Sequence, residues 1–283
     1  MKLPDSIRLD ESKPGFPILR IAHRQASGSV ALLGAHVMEW TPAGQHPVLY
    51  MSADAIFAEG SAIRGGIPVC WPWFGPREGL PGHGVVRTRF WKLASATESD
   101  DGVQLVLTLS GDGSLSEWPH AFELELTVAM GKTLDVSLRM KHLGTTSVEV
   151  TGALHTYLTV GAIERTTVTG LDGTQYSDTI DHNKVKPQQG DIRFSEEVDR
   201  VYHSKTPVSV VDDSWNRTLE ISKTGSAATV VWNPWIEKSK RLNDLPDEAY
   251  HGFLCIEAAN AGDDVVKLAP GGEHVLGTRI VVS

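Results

Sequence analysis

The chain has 283 residues, 41% hydrophobic and 22% charged, which is the balance of a soluble globular protein with room for a substantial core. Its formal net charge of −9 argues against nucleic acid and anionic membrane as partners. Two cysteines, Cys70 and Cys255, are too few for a disulfide framework and match no zinc spacing, so both are expected to be small buried apolar residues. Met1-Lys2-Leu3-Pro4-Asp5 leads into charge, so no leader is expected. No apolar stretch approaches the roughly 20 residues of a membrane span, and the cytoplasm is the expected location.

Along the chain the dominant hydrophobic period is two. Strands are expected at Ile18–Ala22, 29–33, 37–40 and 103–109. Phe122, Leu124, Leu126, Val128 and Met130 alternate with polar residues, as do Leu134, Val136, Leu138 and Met140. With Gly131-Lys132-Thr133 between them, these runs predict an antiparallel hairpin with one buried face. Further strands are expected at 148–160, 208–211, 229–233, 252–257 and 275–282. Turn pairs such as Pro14-Gly15, Asp101-Gly102 and Asp172-Gly173 punctuate them. Helix signals are scarce, and the best is 244–250, at most a turn or two with Asp244 as its cap. The pattern predicts an all-β antiparallel sandwich with few short helices, and without repeat or linker, one domain over 1–283.

Five regions carry residue types suited to chemistry. The loop Arg64-Gly65-Gly66-Ile67-Pro68-Val69-Cys70-Trp71-Pro72-Trp73-Phe74-Gly75-Pro76 sets a fixed positive charge beside two glycines, then gathers aromatics and prolines into a stiff segment. His83 lies between glycines, and Arg87 and Arg89 follow it. Arginines beside glycine turns can grip a phosphate bidentately, and taken singly each is also an ordinary surface arginine. Strand parity puts His155 with Thr151, Ala153, Tyr157 and Thr159, opposite the apolar Val150, Leu154 and Leu158. That position suits either an acid–base histidine or a solvent-facing one. Parity likewise groups Glu257 with Phe253 and Cys255, as a desolvated base or as a charge emerging at a strand end. The tryptophans of Val231-Trp232-Asn233-Pro234-Trp235 either stack on a sugar ring or seal the sandwich edge.

Together these segments resemble the D-hexose-6-phosphate mutarotases, the glucose-6-phosphate 1-epimerase branch of the aldose-1-epimerase-like proteins. The resemblance is carried by Arg64 to Gly75, by Leu80-Pro81-Gly82-His83-Gly84-Val85-Val86-Arg87 and by Leu154-His155-Thr156-Tyr157-Leu158. It continues through Gly170 to Asp178, Glu197-Val198-Asp199-Arg200-Val201-Tyr202, Val231 to Lys238 and Cys255-Ile256-Glu257, all in order. The sequence departs from that pattern at Val85-Val86 and at Ala258-Ala259-Asn260. The resemblance implies a galactose-mutarotase-like supersandwich that binds sugar on an open concave face. It also implies Glu257 as catalytic base and His155 as catalytic acid, Arg64 and Arg87 as phosphate contacts, and His83 and Asp199 as contacts to sugar oxygens.

The activity so implied is interconversion of the α and β anomers of a hexose 6-phosphate. An aldose epimerase on unphosphorylated sugar and a non-catalytic carbohydrate-binding sandwich are the alternatives. The expected partner is a small sugar phosphate bound by a monomer, with no metal and no cofactor. Whether Arg89 shares the phosphate site is open at this level. Ordinary pKa values of about 6.5 and 4.3 place the working pair, His⁺ and Glu⁻, between them. Mutual attraction is expected to widen that window.

Overall fold

The computed structural model describes residues 2–283. The period-two runs become long strands: Gly102–Asp112, Ala121–Gly131, Thr133–His142 and Glu273–Val282. They lie in a nine-stranded antiparallel sheet that continues through Arg217–Thr224, Val208–Asp212, Thr166–Thr169 and Ile192–Arg193, with Lys92–Ser99 at the other edge. The predicted hairpin has Leu126 opposite Leu138 and Met130 opposite Leu134. Those four side chains are buried, while Glu125 and Arg139 face each other on the other side at 3.4 Å.

A second sheet of eight strands holds Lys184–Pro187, Gln175–Asp178, Val198–His203, Ala228–Asn233, Phe253–Asn260, Gly152–Leu154 and Val69–Cys70, in that order, with Tyr157–Thr159 also pairing with Phe253–Asn260. Four N-terminal strands, Ile7–Asp10, Ile18–Ala22, Ala26–Ala31 and His36–Pro42, form a smaller sheet. Val148–Val150 pairs separately with Val266–Leu268.

The strand Phe253–Asn260 explains how the layers stack. Its Leu254, Ile256 and Ala258 join the main core, which also takes in Leu126, Leu138, Leu219, Leu276 and Ile280 from the nine-stranded sheet. Its Phe253, Cys255 and Ala259 point to the other face, into a separate cluster with Tyr157, Trp232, Cys70 and Ala153. The eight-stranded sheet is therefore buried on both sides at its centre, which is why all eight residues of this strand are inaccessible.

Three sequence expectations are corrected. The run 148–160 is not one strand: Val148–Val150 pairs with Val266–Leu268, while Gly152–Leu154 and Tyr157–Thr159 both pair with Phe253–Asn260, on either side of a break at His155 and Thr156. The stretch 244–250 holds no α-helix. The helix is Trp235–Ser239, and the later segment gives only a 3₁₀ turn at Ala249–Gly252 with no side-chain cap. Asp244 serves another purpose, described below. Glu257 does not emerge at a strand end, since the strand runs on to Asn260. Among the described residues no helix is long and apolar enough to cross a membrane.

Candidate active site

Register brings the two strongest sequence candidates together. Leu154 pairs with Ala258 and Tyr157 with Cys255. Carried through the two residues between, that register sets His155 opposite Glu257, and the Ile256 N–H donates to the Thr156 carbonyl at 3.1 Å. The His155 Nδ1 lies 3.4 Å from a Glu257 Oε. Two cross-strand rows make the floor of the site. One runs Val201, Val230, Glu257, His155, and the next runs Asp199, Trp232, Cys255, Tyr157. Because side chains two apart share a face, both rows point away from the inter-sheet core.

The loop after Arg64 closes the other side of His155. The His155 N–H donates to the Pro68 carbonyl at 3.0 Å, and the Tyr157 N–H to the Gly66 carbonyl at 2.9 Å. Gly66, at φ +58°, is needed here: a Cβ would lie 2.2 Å from the Val37 carbonyl oxygen and 2.6 Å from the His36 Nε2. The Tyr157 ring stacks on His155 with centroids 4.8 Å apart and planes 11° from parallel. His83, Phe74 and Trp232 meet the same imidazole edge-on or tilted, at 5.7, 6.5 and 6.0 Å. These rings fix the imidazole plane and exclude water around it. The site lies on a sheet face; hollows such as the one lined by Gln25, Glu98, Lys132 and Asp135 lie elsewhere.

Burial dominates the electrostatics. Glu257 is 1% exposed and has one carboxyl oxygen with no hydrogen-bond partner; the His155 Nδ1 is likewise without one. Desolvation pushes the Glu257 carboxyl well above the usual carboxylate range, and the charge of Asp199 adds to it. Desolvation pulls His155 well below the usual imidazole range, helped by His83, Arg87 and Arg64. This reverses the sequence expectation. In this dry interior desolvation outweighs mutual attraction, and both shifts favour the neutral pair, a protonated carboxyl beside an unprotonated imidazole.

His83 adopts φ +64°, a conformation rare for a residue with a side chain. Its Nδ1 accepts the Gly75 N–H at 3.3 Å. Burial, then Arg87 and Arg64, pull its pKa down to about 3. The ring is therefore neutral with its proton on Nε2, a hydrogen-bond donor.

The arginines are placed unequally. Arg64 donates from Nε to an Asp244 carboxylate oxygen at 3.1 Å and from Nη1 to the Tyr157 hydroxyl at 3.0 Å, and its Nη2 lies 3.0 Å from Asp244. Burial opposes its charge, but Tyr157 and Asp244 outweigh burial and keep it protonated. Arg87 donates to the Gly82 carbonyl at 2.8 Å, and its charge is felt at His83 and His155. Arg89 is set apart: its charge acts on Glu117, after the backbone and Ser116 contributions there. Asp199 is bound by Lys238 at 3.1 Å, which also reaches Glu197 at 2.9 Å and lies over the Trp232 ring.

Sequence reasoning missed Lys238 and Asp244 as members of this neighbourhood. Lys238 closes the tryptophan-rich segment that starts at Val231, which was the available signal. Asp244 is 180 positions from its partner Arg64, and nothing in its local pattern marks it. Cys255 was assigned to packing, yet donor atoms of His155, Cys255 and Glu257 lie within 4.8 Å of one another.

The family model described as aldose 1-epimerase matches residues 17–281. An Escherichia coli K12 protein carrying the provisional name glucose-6-phosphate 1-epimerase is 38% identical over 261 residues, covering 90% of this chain and 86% of that protein. A protein of the same provisional name from the plant Cenchrus ciliaris is 35% identical over 263 residues, covering 88% and 79%. Among solved structures, a provisional mutarotase from Salmonella typhimurium superposes with a TM-score of 0.93 at 32% identity, over 100% of this chain and 95% of that one.

Proposed function

The chain belongs to the aldose 1-epimerase family, and on that premise we propose that it is an isomerase interconverting the α and β anomers of a hexose 6-phosphate, glucose 6-phosphate foremost. The observation that carries the reading is the opposition of His155 and Glu257 at 3.4 Å on a buried floor. Ring opening needs a proton removed from the anomeric hydroxyl and another delivered to the ring oxygen, and a paired acid and base do both at once.

In the reaction the shared proton passes from Glu257 to His155 as substrate oxygens replace the missing hydration of both groups. Glu257 then takes the proton of the anomeric hydroxyl while His155 donates to the ring oxygen. The bond between C1 and the ring oxygen breaks to give the open aldehyde, and rotation about C1–C2 presents the other carbonyl face. On closure His155 recovers its proton from the ring hydroxyl and Glu257 returns one to the anomeric oxygen; as product leaves, the proton passes back from His155 to Glu257, and the enzyme ends as it began. Each transfer contributes about 10²–10⁴-fold. No cofactor enters this scheme.

His83 donates from Nε2 to a sugar oxygen, and Asp199, held by Lys238, accepts from a hydroxyl. A guanidinium has five N–H donors, so Arg64 keeps two free beyond Asp244 and Tyr157, and Arg87 keeps four beyond Gly82. These are the phosphate anchors. With a net charge of −9, capture of the phosphate depends on this local pair and not on long-range attraction. The enzyme acts as a cytoplasmic monomer folded as one domain. A broader aldose epimerase is the second reading, favoured by the commitment of Arg64 to protein partners.

Magnetisation exchange between the anomeric protons of glucose 6-phosphate, with free glucose in parallel, tests both readings. Acceleration for the phosphate alone is expected. Equal acceleration of both sugars selects the broader epimerase, and acceleration of neither removes the assignment.

A further inference from the structure

The second row of the site carries a thiol that the proposed chemistry does not use. Cys255 lies between Trp232 and Tyr157 in register, on the same face as Glu257 two residues along. One donor atom from each of His155, Cys255 and Glu257 falls within 4.8 Å of the others, and all three residues are buried. Two of these side chains present atoms without any hydrogen-bond partner, the His155 Nδ1 and a Glu257 Oε. Buried polar atoms are normally satisfied, so a cluster of unsatisfied ones beside a free thiol is a prepared ligand set. An imidazole, a thiol and a carboxyl are the nitrogen, sulfur and oxygen donors favoured by zinc and similar borderline cations.

We propose that His155, Cys255 and Glu257 form a binding site for a thiophilic divalent cation, zinc above all, whose occupancy blocks the acid–base pair. Zinc–ligand bonds of about 2.0–2.3 Å call for donors closer together than 4.8 Å, so the triad closes on the ion by roughly an ångström of side-chain movement. His155 is the member reaching the surface, at 8% exposure, and is the route of access. Three protein ligands leave a fourth position open, where a sugar oxygen would compete. Asp199 lies close enough to add favourable charge at Cys255 and Glu257. Arg64 and Arg87 oppose the cation, but Arg64 is already neutralised by Asp244. The inhibitory consequence rests on the proposed catalytic pair; the binding itself does not.

Cobalt(II) added to the whole protein is the direct probe, because thiolate ligation gives an intense near-ultraviolet charge-transfer band regardless of turnover. The expected result is a band that saturates at one cobalt per chain and is displaced by zinc. It should disappear in Cys255→Ser and Cys255→Ala and persist in Cys70→Ser, whose thiol is outside the triad. In anomer exchange, zinc should inhibit the native enzyme reversibly with EDTA, and the turnover that the Cys255 variants keep should be at least tenfold less sensitive to it. No band in the native protein, or a band or zinc sensitivity unchanged in both Cys255 variants, overturns the proposal. If no sugar is turned over, the cobalt band still decides the site, and only the proposed function fails.

Discussion

Asp212 and Glu257 are both buried carboxylates on antiparallel strands, and the protein treats them in opposite ways. Asp212 is 0% exposed and accepts backbone N–H bonds from Gly161 and Ser214 at 3.1 Å and from Trp215 at 3.4 Å. Arg217 stands 3.6 Å away and donates in turn to the carbonyls of His46 and Thr159. Both Asp212 oxygens accept hydrogen bonds, so the carboxylate ties three segments together as structure. Glu257 is 1% exposed and faces only an imidazole, with an oxygen left unsatisfied. A carboxyl deprived of donors stores proton affinity, whereas a carboxyl supplied with them stores stability.

The largest test of that contrast is Glu257→Gln. It should lower the anomer-exchange rate by about 10²–10⁴-fold while leaving urea stability unchanged or raised, since no satisfied interaction is lost. Asp212→Ala should do the reverse. It should cost about 3–5 kcal/mol in urea unfolding by leaving Arg217 buried without its ion, with turnover per folded molecule retained. If Glu257→Gln destabilises as much as Asp212→Ala, the contrast between the two carboxylates is wrong.

A pH series sharpens it. Glu257 is raised in the fold, so the folded chain binds more protons than the unfolded one above about 4.5, and stability falls as pH rises through that range. His155 is lowered, so its contribution to stability rises with pH up to about 6.5 and is flat beyond. Between these values the two slopes oppose each other. The stability advantage of Glu257→Gln over the native protein should therefore grow with pH, measured by urea midpoints. The same proton inventory makes kcat/KM bell-shaped. Its acid limb lies below the ordinary imidazole range and its alkaline limb above the ordinary carboxylate range, as limits of the singly protonated pair.

The smallest expected effect belongs to the arm that steadies the site. Tyr157→Phe removes one hydrogen bond from Arg64 and should raise KM for glucose 6-phosphate by about 2–10-fold, with kcat nearly unchanged. An equal loss for free glucose would place Arg64 away from the phosphate.

How much of this was legible follows from which interactions are local. Parity in 253–257 separated Leu254 and Ile256 from Phe253 and Cys255, and the structure places those pairs in different clusters. Parity also put His155 with Ala153 and Tyr157. It did not reveal that this second face is covered by rings, which turns a solvent-facing histidine into one only 8% exposed. The strand break at His155 was invisible because it comes from the loop at Gly66 and Pro68 pairing alongside, a contact across almost ninety positions. Lys92–Ser99 and Lys184–Pro187 have little apolar alternation because they lie at sheet edges. Asp244 looked like a helix cap because Asp commonly caps, while its actual partner, Arg64, is fixed only by the fold.

The cross-strand rows also limit how this protein can be altered over generations. A single-residue insertion between Phe253 and Glu257 would exchange the two faces of the strand downstream, driving the carboxyl into the inter-sheet core. Lengthening the connection between Trp235–Ser239 and Phe253–Asn260 shifts neither row. Indels are thus open to the segments around the floor and closed to the floor itself. Descendants of this chain can reshape what enters the cleft by changing loop length, but can revise its chemistry only by replacing one side chain at a time.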